Sequence, residues 1–175
     1  GNNGTEVATF TGGTNPVNAV AFELETLSEG EAQNSSGSEG AQGELANGTK
    51  ENIRWEVVSP NTSSGTFGLI IRRGDDTTTQ KSVLETWPNL SLDPNSSNYI
   101  ARVIGDQKQV VVEDNGTYFV QMNGNFANAS RYVRVKSVNS KTLNYFDNAG
   151  NPKTEYTASI PSAASGTMGG AEGVP

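Results

Sequence analysis

Ile53-Arg54-Trp55-Glu56-Val57-Val58, the turn formers Pro60-Asn61-Thr62-Ser63-Ser64-Gly65, and then Phe67-Gly68-Leu69-Ile70-Ile71 decide the fold class of this chain. Ile53, Trp55 and Val57 alternate with Arg54 and Glu56, the period of a strand with one face in a core. Phe67 to Ile71 is apolar on both faces, as in a strand flanked by neighbours and covered above and below. Two such runs joined by a short polar connection predict a hairpin.

Working outward, Val17 to Thr26 alternates as well. Val20, Phe22 and Leu24 point one way and Ala21, Glu23 and Glu25 the other, which predicts a half-buried strand. Downstream, Arg72-Arg73-Gly74-Asp75-Asp76 reads as a charged turn, and Lys81 to Trp87 as a strand closed by Pro88. Gln109 to Val112 and Thr117 to Met122 flank Glu113-Asp114-Asn115-Gly116, a hairpin signal. Ser130 to Val138 alternates again. Thr142 to Phe146 and Thr154 to Ile160 flank the turn-rich 147–152, predicting a further hairpin.

One helix is expected between Asp93 and Gly105, with Asp93 or Ser96 as cap, Pro94 in the first turn and Gly105 as the stop. Tyr99 and Val103, and Ile100 and Ile104, are spaced to bury one side of it. The fold class is therefore mainly β (α+β): an antiparallel two-layer β-sandwich with one or two short helices. Residues 1–165 read as a single β-rich domain, with an exposed Gly/Ser/Asn/Glu-rich loop at 28–50 and a flexible Gly-rich junction at 166–175. The chain starts without Met and closes in linker-like residues, so it is expected to be a fragment of a longer protein.

Composition narrows function. The 175 residues contain no His and no Cys. Imidazole bases, thiol nucleophiles, disulfides and structural zinc are thereby excluded, and a Ser-His-Asp or Cys-His hydrolase cannot be built from the chain alone. The missing cysteines mildly favour synthesis inside a cell. No apolar run approaches the roughly 20 residues that cross a bilayer. Nine acids against Lys50 and Arg54 put the whole net charge of −7 in residues 1–60, while residues 61–175 balance. That distribution argues against nucleic acid as a partner.

The stretch Ser64 to Asp76 is followed by Val83-Leu84-Glu85-Thr86-Trp87-Pro88-Asn89-Leu90-Ser91-Leu92-Asp93-Pro94 and by Ser97-Asn98-Tyr99-Ile100. This succession resembles the contractile tail sheath proteins of large bacteriophages. Glu85, Asn89, Leu90, Ser91, Asp93, Pro94, Ser97, Asn98 and Tyr99 match that family's pattern position by position. Glu25 to Gly30, Gly48 to Val57 and the closing Gly169 to Gly173 are similar to it too; the likeness is dense over 50–105 and thin over 106–168.

The resemblance implies a structural subunit that stacks in hexameric rings around a tail tube and rearranges on contraction. It implies homo-oligomeric contacts, with tail tube and baseplate engaged by parts outside this fragment. It further implies a place in the virion tail after synthesis in the host cytoplasm, and no catalysis, cofactor, metal, membrane or nucleic acid. The motif residues are expected to shape the scaffold, and Arg72, Arg73, Asp75 and Asp76 are candidate subunit-interface charges. The second expectation is a virion-exposed β-sandwich adhesion or carbohydrate-binding module, with Tyr118, Phe119, Trp55 and Trp87 as stacking residues. An open face of aromatics would favour that module, whereas Trp55 and Phe67 in the core would favour the sheath.

Other features read as ordinary. Arg73-Gly74-Asp75 turns the chain, and Asp75-Asp76 and Glu113-Asp114 lack the spaced oxygens of a calcium loop. The Asn-x-Ser/Thr triplets at Asn47, Asn61, Asn89, Asn95 and Asn115 follow from composition. Glu23 and Glu25 read as a wet surface rather than a glycosidase pair.

Overall fold

A computed structural model describes residues 6–11, 20–27, 40–44, 53–157, 159–161, 163–167 and 170–171. Two four-stranded antiparallel sheets and a two-stranded ribbon carry the chain. The first sheet is built from β1 (Glu6–Thr11), β2 (Val20–Thr26), β8 (Val133–Val138) and β10 (Gly170–Ala171), in the order β10-β1-β2-β8. The second holds β3 (Ile53–Asn61), β4 (Thr66–Arg73), β5 (Val83–Ser91) and β9 (Ala164–Thr167), in the order β5-β4-β3-β9. The ribbon is β6 (Lys108–Asp114) with β7 (Thr117–Asn123), and the two short helices are α1 (Ile100–Ile104) and α2 (Thr154–Thr157).

The deciding hairpin forms as expected: Trp55 lies opposite Ile71 and Val57 opposite Leu69. Asn61 closes its turn, its Oδ1 accepting from the Ser63 and Ser64 amides and its carbonyl from Gly65 N–H. The two sheets meet where Phe22 of β2 stacks on Phe67 of β4, with ring centroids 5.5 Å apart. Around that pair Leu24, Val133 and Val135 from the first sheet join Val57, Leu69, Ile71 and Leu90 from the second in one core. Ile100 and Ile104 of α1 enter the same core, so burying one side of the helix was the right expectation.

Several elements differ from the sequence reading, each for a local reason. β5 does not stop at Pro88 but runs to Ser91. It can do so because β5 is an edge strand, and Pro88 with Asn89 forms a bulge: Leu69 faces Trp87 and Phe67 faces Leu90, leaving two residues opposite Gly68. The helix is only five residues long. Asp93 and Ser96 cap no helix; Asp93 Oδ1 accepts from Asn95 N–H, and its carbonyl accepts from Ser96 N–H. Side chains that satisfy backbone donors locally compete with helix, so the chain turns until Ile100.

The predicted hairpin of 142–146 with 154–160 is absent from the described residues. The turn closes, with Asp147 N–H donating to the Asn151 carbonyl, but the flanks form only the bridge of Phe146 with Pro152 and then α2. Tyr145 leaves the strand direction to lie under Gly65, its hydroxyl donating to the Thr62 carbonyl at 2.5 Å and its ring stacking on Tyr156. The Ser/Ala/Gly-rich exit after Pro161 carries strands: β9 pairs with β3 (Trp55 opposite Gly166), and β10 with β1. Such residues show no hydrophobic period, yet pairing along an edge asks only for backbone donors and acceptors.

β2 is more than half-buried. Ala21 and Glu25 are buried beside Phe22 and Leu24, because Arg134 and Lys108 come over that face and neutralise Glu25. Most of the 28–50 loop lies outside the described residues. Residues 40–44 are docked: Gly43 is buried and Gln42 accepts from Thr78 N–H.

Candidate functional site

Five of the nine motif residues, Asn89, Ser91, Asp93, Asn98 and Tyr99, are bonded into one interlock between the end of β5 and the start of α1. Asn89 sits in the bulge with φ +56°, the left-handed conformation that Asn adopts more readily than most residues. Its carbonyl accepts from Asn98 Nδ2. The Asn98 carbonyl accepts from Ser91 N–H at 2.9 Å, and its Oδ1 accepts from the Ser96 hydroxyl. Ser91 Oγ accepts from Asp93 N–H at 3.0 Å, and Ser91 pairs as a parallel bridge with Tyr99. Leu90 is fully buried between these polar links. Pro94 is half-buried and Ser97 exposed.

Two residues carry the interlock to the rest of the molecule. Glu85 accepts from Ser130 Oγ at 2.5 Å and from Arg131 N–H at 3.0 Å, fastening the second sheet to the turn that feeds β8 of the first. Its Oε1 also accepts from Trp87 Nε1 at 3.3 Å. Tyr99 is buried edge-on against Phe126, ring centroids 6.2 Å apart. Burial, and next the negative charge of Asp106, push its hydroxyl pKa above 10.0. Asp106 in turn orders the far side, accepting from the Asn125 and Phe126 amides at 2.9 Å each.

The candidate interface charges divide. Arg72 and Asp76 point inward and are buried; Arg73 and Asp75 pair with each other at the surface. Asp76 sits at the centre of a network. Its carboxylate accepts from Arg72 Nε at 2.7 Å, Arg72 Nη2 at 3.0 Å, Arg54 Nη1 at 3.2 Å and Ser82 N–H at 3.0 Å. Arg54 Nη1 also donates to the Gly43 carbonyl at 2.6 Å, which is what docks residues 40–44. Arg72 reaches Glu56 at 3.2 Å, and Lys81 closes the rim on Glu56 at 2.9 Å. Two fully charged arginines are thus held in the interior by carboxylates, the arrangement burial demands.

Sequence reading missed this network, since nothing in a local pattern tells that Arg54 and Arg72, opposite each other on β3 and β4, both turn to Asp76. Their cross-strand pairing was the available signal: two like charges face to face require an acid between them. The Glu25–Arg134 pair at 2.9 Å was likewise out of reach, its partners standing 109 residues apart.

The aromatics split as well. Phe67 is buried, Trp55 and Trp87 are half-buried against the core, and Tyr118 (70% exposed) and Phe119 (46%) stand open on the ribbon. They occupy consecutive positions of one strand and therefore opposite faces. Glu23 meets Lys136 at 3.9 Å while Glu25 is buried, so these carboxylates form neither a wet acidic face nor an acid–base pair in a cleft. Among the described residues no group of three or more acidic side chains is placed to hold a metal ion, and no helix is long and apolar enough to cross a membrane.

Comparison with protein-family models, with curated proteins and with solved structures returns no match for the chain.

Proposed function

We propose that the chain is a structural subunit domain of a contractile bacteriophage tail sheath. Its copies would assemble as stacked hexameric rings around a tail tube and move as rigid bodies when the sheath shortens. The observation that carries the reading is the use made of the motif. The residues matching the sheath pattern build a bulge, a turn and a buried tyrosine that fasten two sheets and a helix into one body. Pro94 and Tyr99 also border a cleft, but their part in it is as wall, the tyrosine being buried edge-on against Phe126. A rigid block is what a lattice subunit needs, because it must transmit force between its contacts without deforming.

Electron microscopy of the full-length parent protein tests this. Long tubes with helical order support the sheath reading, and dispersed particles under every salt condition overturn it. A second reading, a virion-exposed adhesion or carbohydrate-binding module, is favoured by one observation, the open Tyr118 and Phe119. Saturable binding of a glycan that is lost in Tyr118→Ala and Phe119→Ala would move the conclusion there.

A further inference from the structure

Among the described residues, the β6–β7 ribbon carries most of the exposed large apolar side chains, and every residue of β7 is exposed. Val111 (71% exposed), Val120 (61%), Tyr118 and Met122 crowd one of its faces, since Val111 lies opposite Val120 and Gln109 opposite Met122. Among the described residues, β6 and β7 pair only with each other. A two-stranded ribbon in water is marginal on its own, and an apolar, unpaired edge is a template for another strand.

The ribbon turns at Asn115-Gly116, both at positive φ, with Asp114 opposite Thr117. In that register hydrogen-bonded and non-hydrogen-bonded pairs alternate, so the backbone groups of Tyr118, Val120 and Met122 point away from β6. The free edge and the apolar face therefore belong to the same three residues.

We propose that this edge pairs with the same edge of a second copy, antiparallel about a twofold axis at Val120, making a four-stranded sheet β6-β7-β7-β6. The register is self-complementary. Val120 meets Val120 of the partner subunit, and each Tyr118 meets the other copy's methionine at position 122, a favourable sulfur–ring contact. Charge selects the antiparallel sense and the identical partner. From Gln109 to Met122 the only charged side chains are Glu113 and Asp114, both at the tip. Among the described residues at the base and its surroundings, Arg102, Lys108, Arg134, Lys136 and Lys141 outnumber Glu23, Glu25 and Asp106. Antiparallel alignment sets the acidic tip of each copy toward the basic base of the other, whereas parallel alignment would bring two acidic tips together. The contact stands apart from the sheath reading: a twofold pair sets its two copies in opposite senses, so it joins free copies of the chain and not neighbours in a polar stack of rings.

Because the chain has no cysteine, single-cysteine variants test it cleanly. In the 175-residue chain Val120→Cys should cross-link to itself under mild oxidation, as paired residues on the axis lie within disulfide reach. Val111→Cys, on the same face but the other strand, should cross-link at least tenfold more slowly. Sedimentation should show a reversible dimer below about 1 mM. Val120→Pro should weaken it at least tenfold without lowering the melting temperature, because the lost N–H serves no bond within the ribbon. Reversal of the tip by Glu113→Lys and Asp114→Lys should weaken it too. Equal cross-linking at both positions, a monomer at every concentration, or a dimer indifferent to Val120→Pro each overturns the proposal. A dimer from a parent protein that forms no tubes would leave this contact standing and remove the sheath reading; tubes from a parent whose 175-residue chain stays monomeric would do the reverse.

Discussion

Substituting Asp76 by Ala should unfold the domain more readily than any other single change of a charged residue. The carboxylate accepts four hydrogen bonds, three of them from the guanidinium groups of Arg54 and Arg72, which are 0% and 2% exposed. After the change Arg72 keeps Glu56, and Arg54 keeps the Gly43 and residue-76 backbone carbonyls but loses its bond to the Asp76 carboxylate. Breaking a buried pair by removing one partner costs about 3–5 kcal/mol, because the desolvated charge remains. For a chain of this size that corresponds to a fall in melting temperature of about 6–20 °C. Asp75→Ala removes the neighbouring carboxylate, whose pair with Arg73 is solvent-exposed, and should cost under about 1 kcal/mol. Thermal and urea unfolding followed by circular dichroism compare the two. Hydrogen exchange of Thr78 N–H, bonded to Gln42, should quicken in Asp76→Ala because the 40–44 segment loses its anchor on Arg54. If both variants melt within about 2 °C of each other, Asp76 is not the keystone described here and the burial argument fails.

Gly65→Ala places a methyl 2.8 Å from the Tyr145 ring at a residue with φ +72°, and should lose about 2 kcal/mol or more in urea titration. Glu85→Ala removes the ties to Ser130 and Arg131 and should cost about 2 kcal/mol, with a shift in tryptophan emission as Trp87 loses its partner. Tyr99 holds its proton more tightly folded than unfolded, so its contribution is complete below pH 10.0 and declines as pH rises from there through the raised native pKa. Tyr99→Phe should therefore lose less stability than the parent between neutral and strongly alkaline pH, read by urea melts across that range; an equal loss would contradict the assignment.

What the sequence disclosed was whatever a local period or turn could encode. The 53–71 hairpin, the Asn115-Gly116 ribbon and the buried side of Ile100 and Ile104 were readable because alternation, i,i+4 spacing and φ-positive turn residues are written within a few positions. The nine motif residues were expected to shape the scaffold, and how they bond was not legible. That depends on Asn89 reaching Asn98 and Glu85 reaching Ser130, contacts set only when strands are in register. The helix was overestimated because cap residues and turn residues are the same types. Of the nine acids in the first third, Glu23, Glu25 and Glu56 are answered by Lys136, Arg134, Lys108, Arg72 and Lys81 from later strands, pairings that no reading along the chain discloses.

The bulge at Pro88 and Asn89 has a bearing on how the molecule behaves in a crowd. It lies on the outer rim of the second sheet, where Pro88 supplies no amide and Asn89 swings the backbone out of the extended path. An incoming strand would find its run of bonds interrupted beyond Trp87, too short to hold. One rim of the molecule is thereby sealed against casual stacking. That safeguard keeps copies of the chain from joining along this edge.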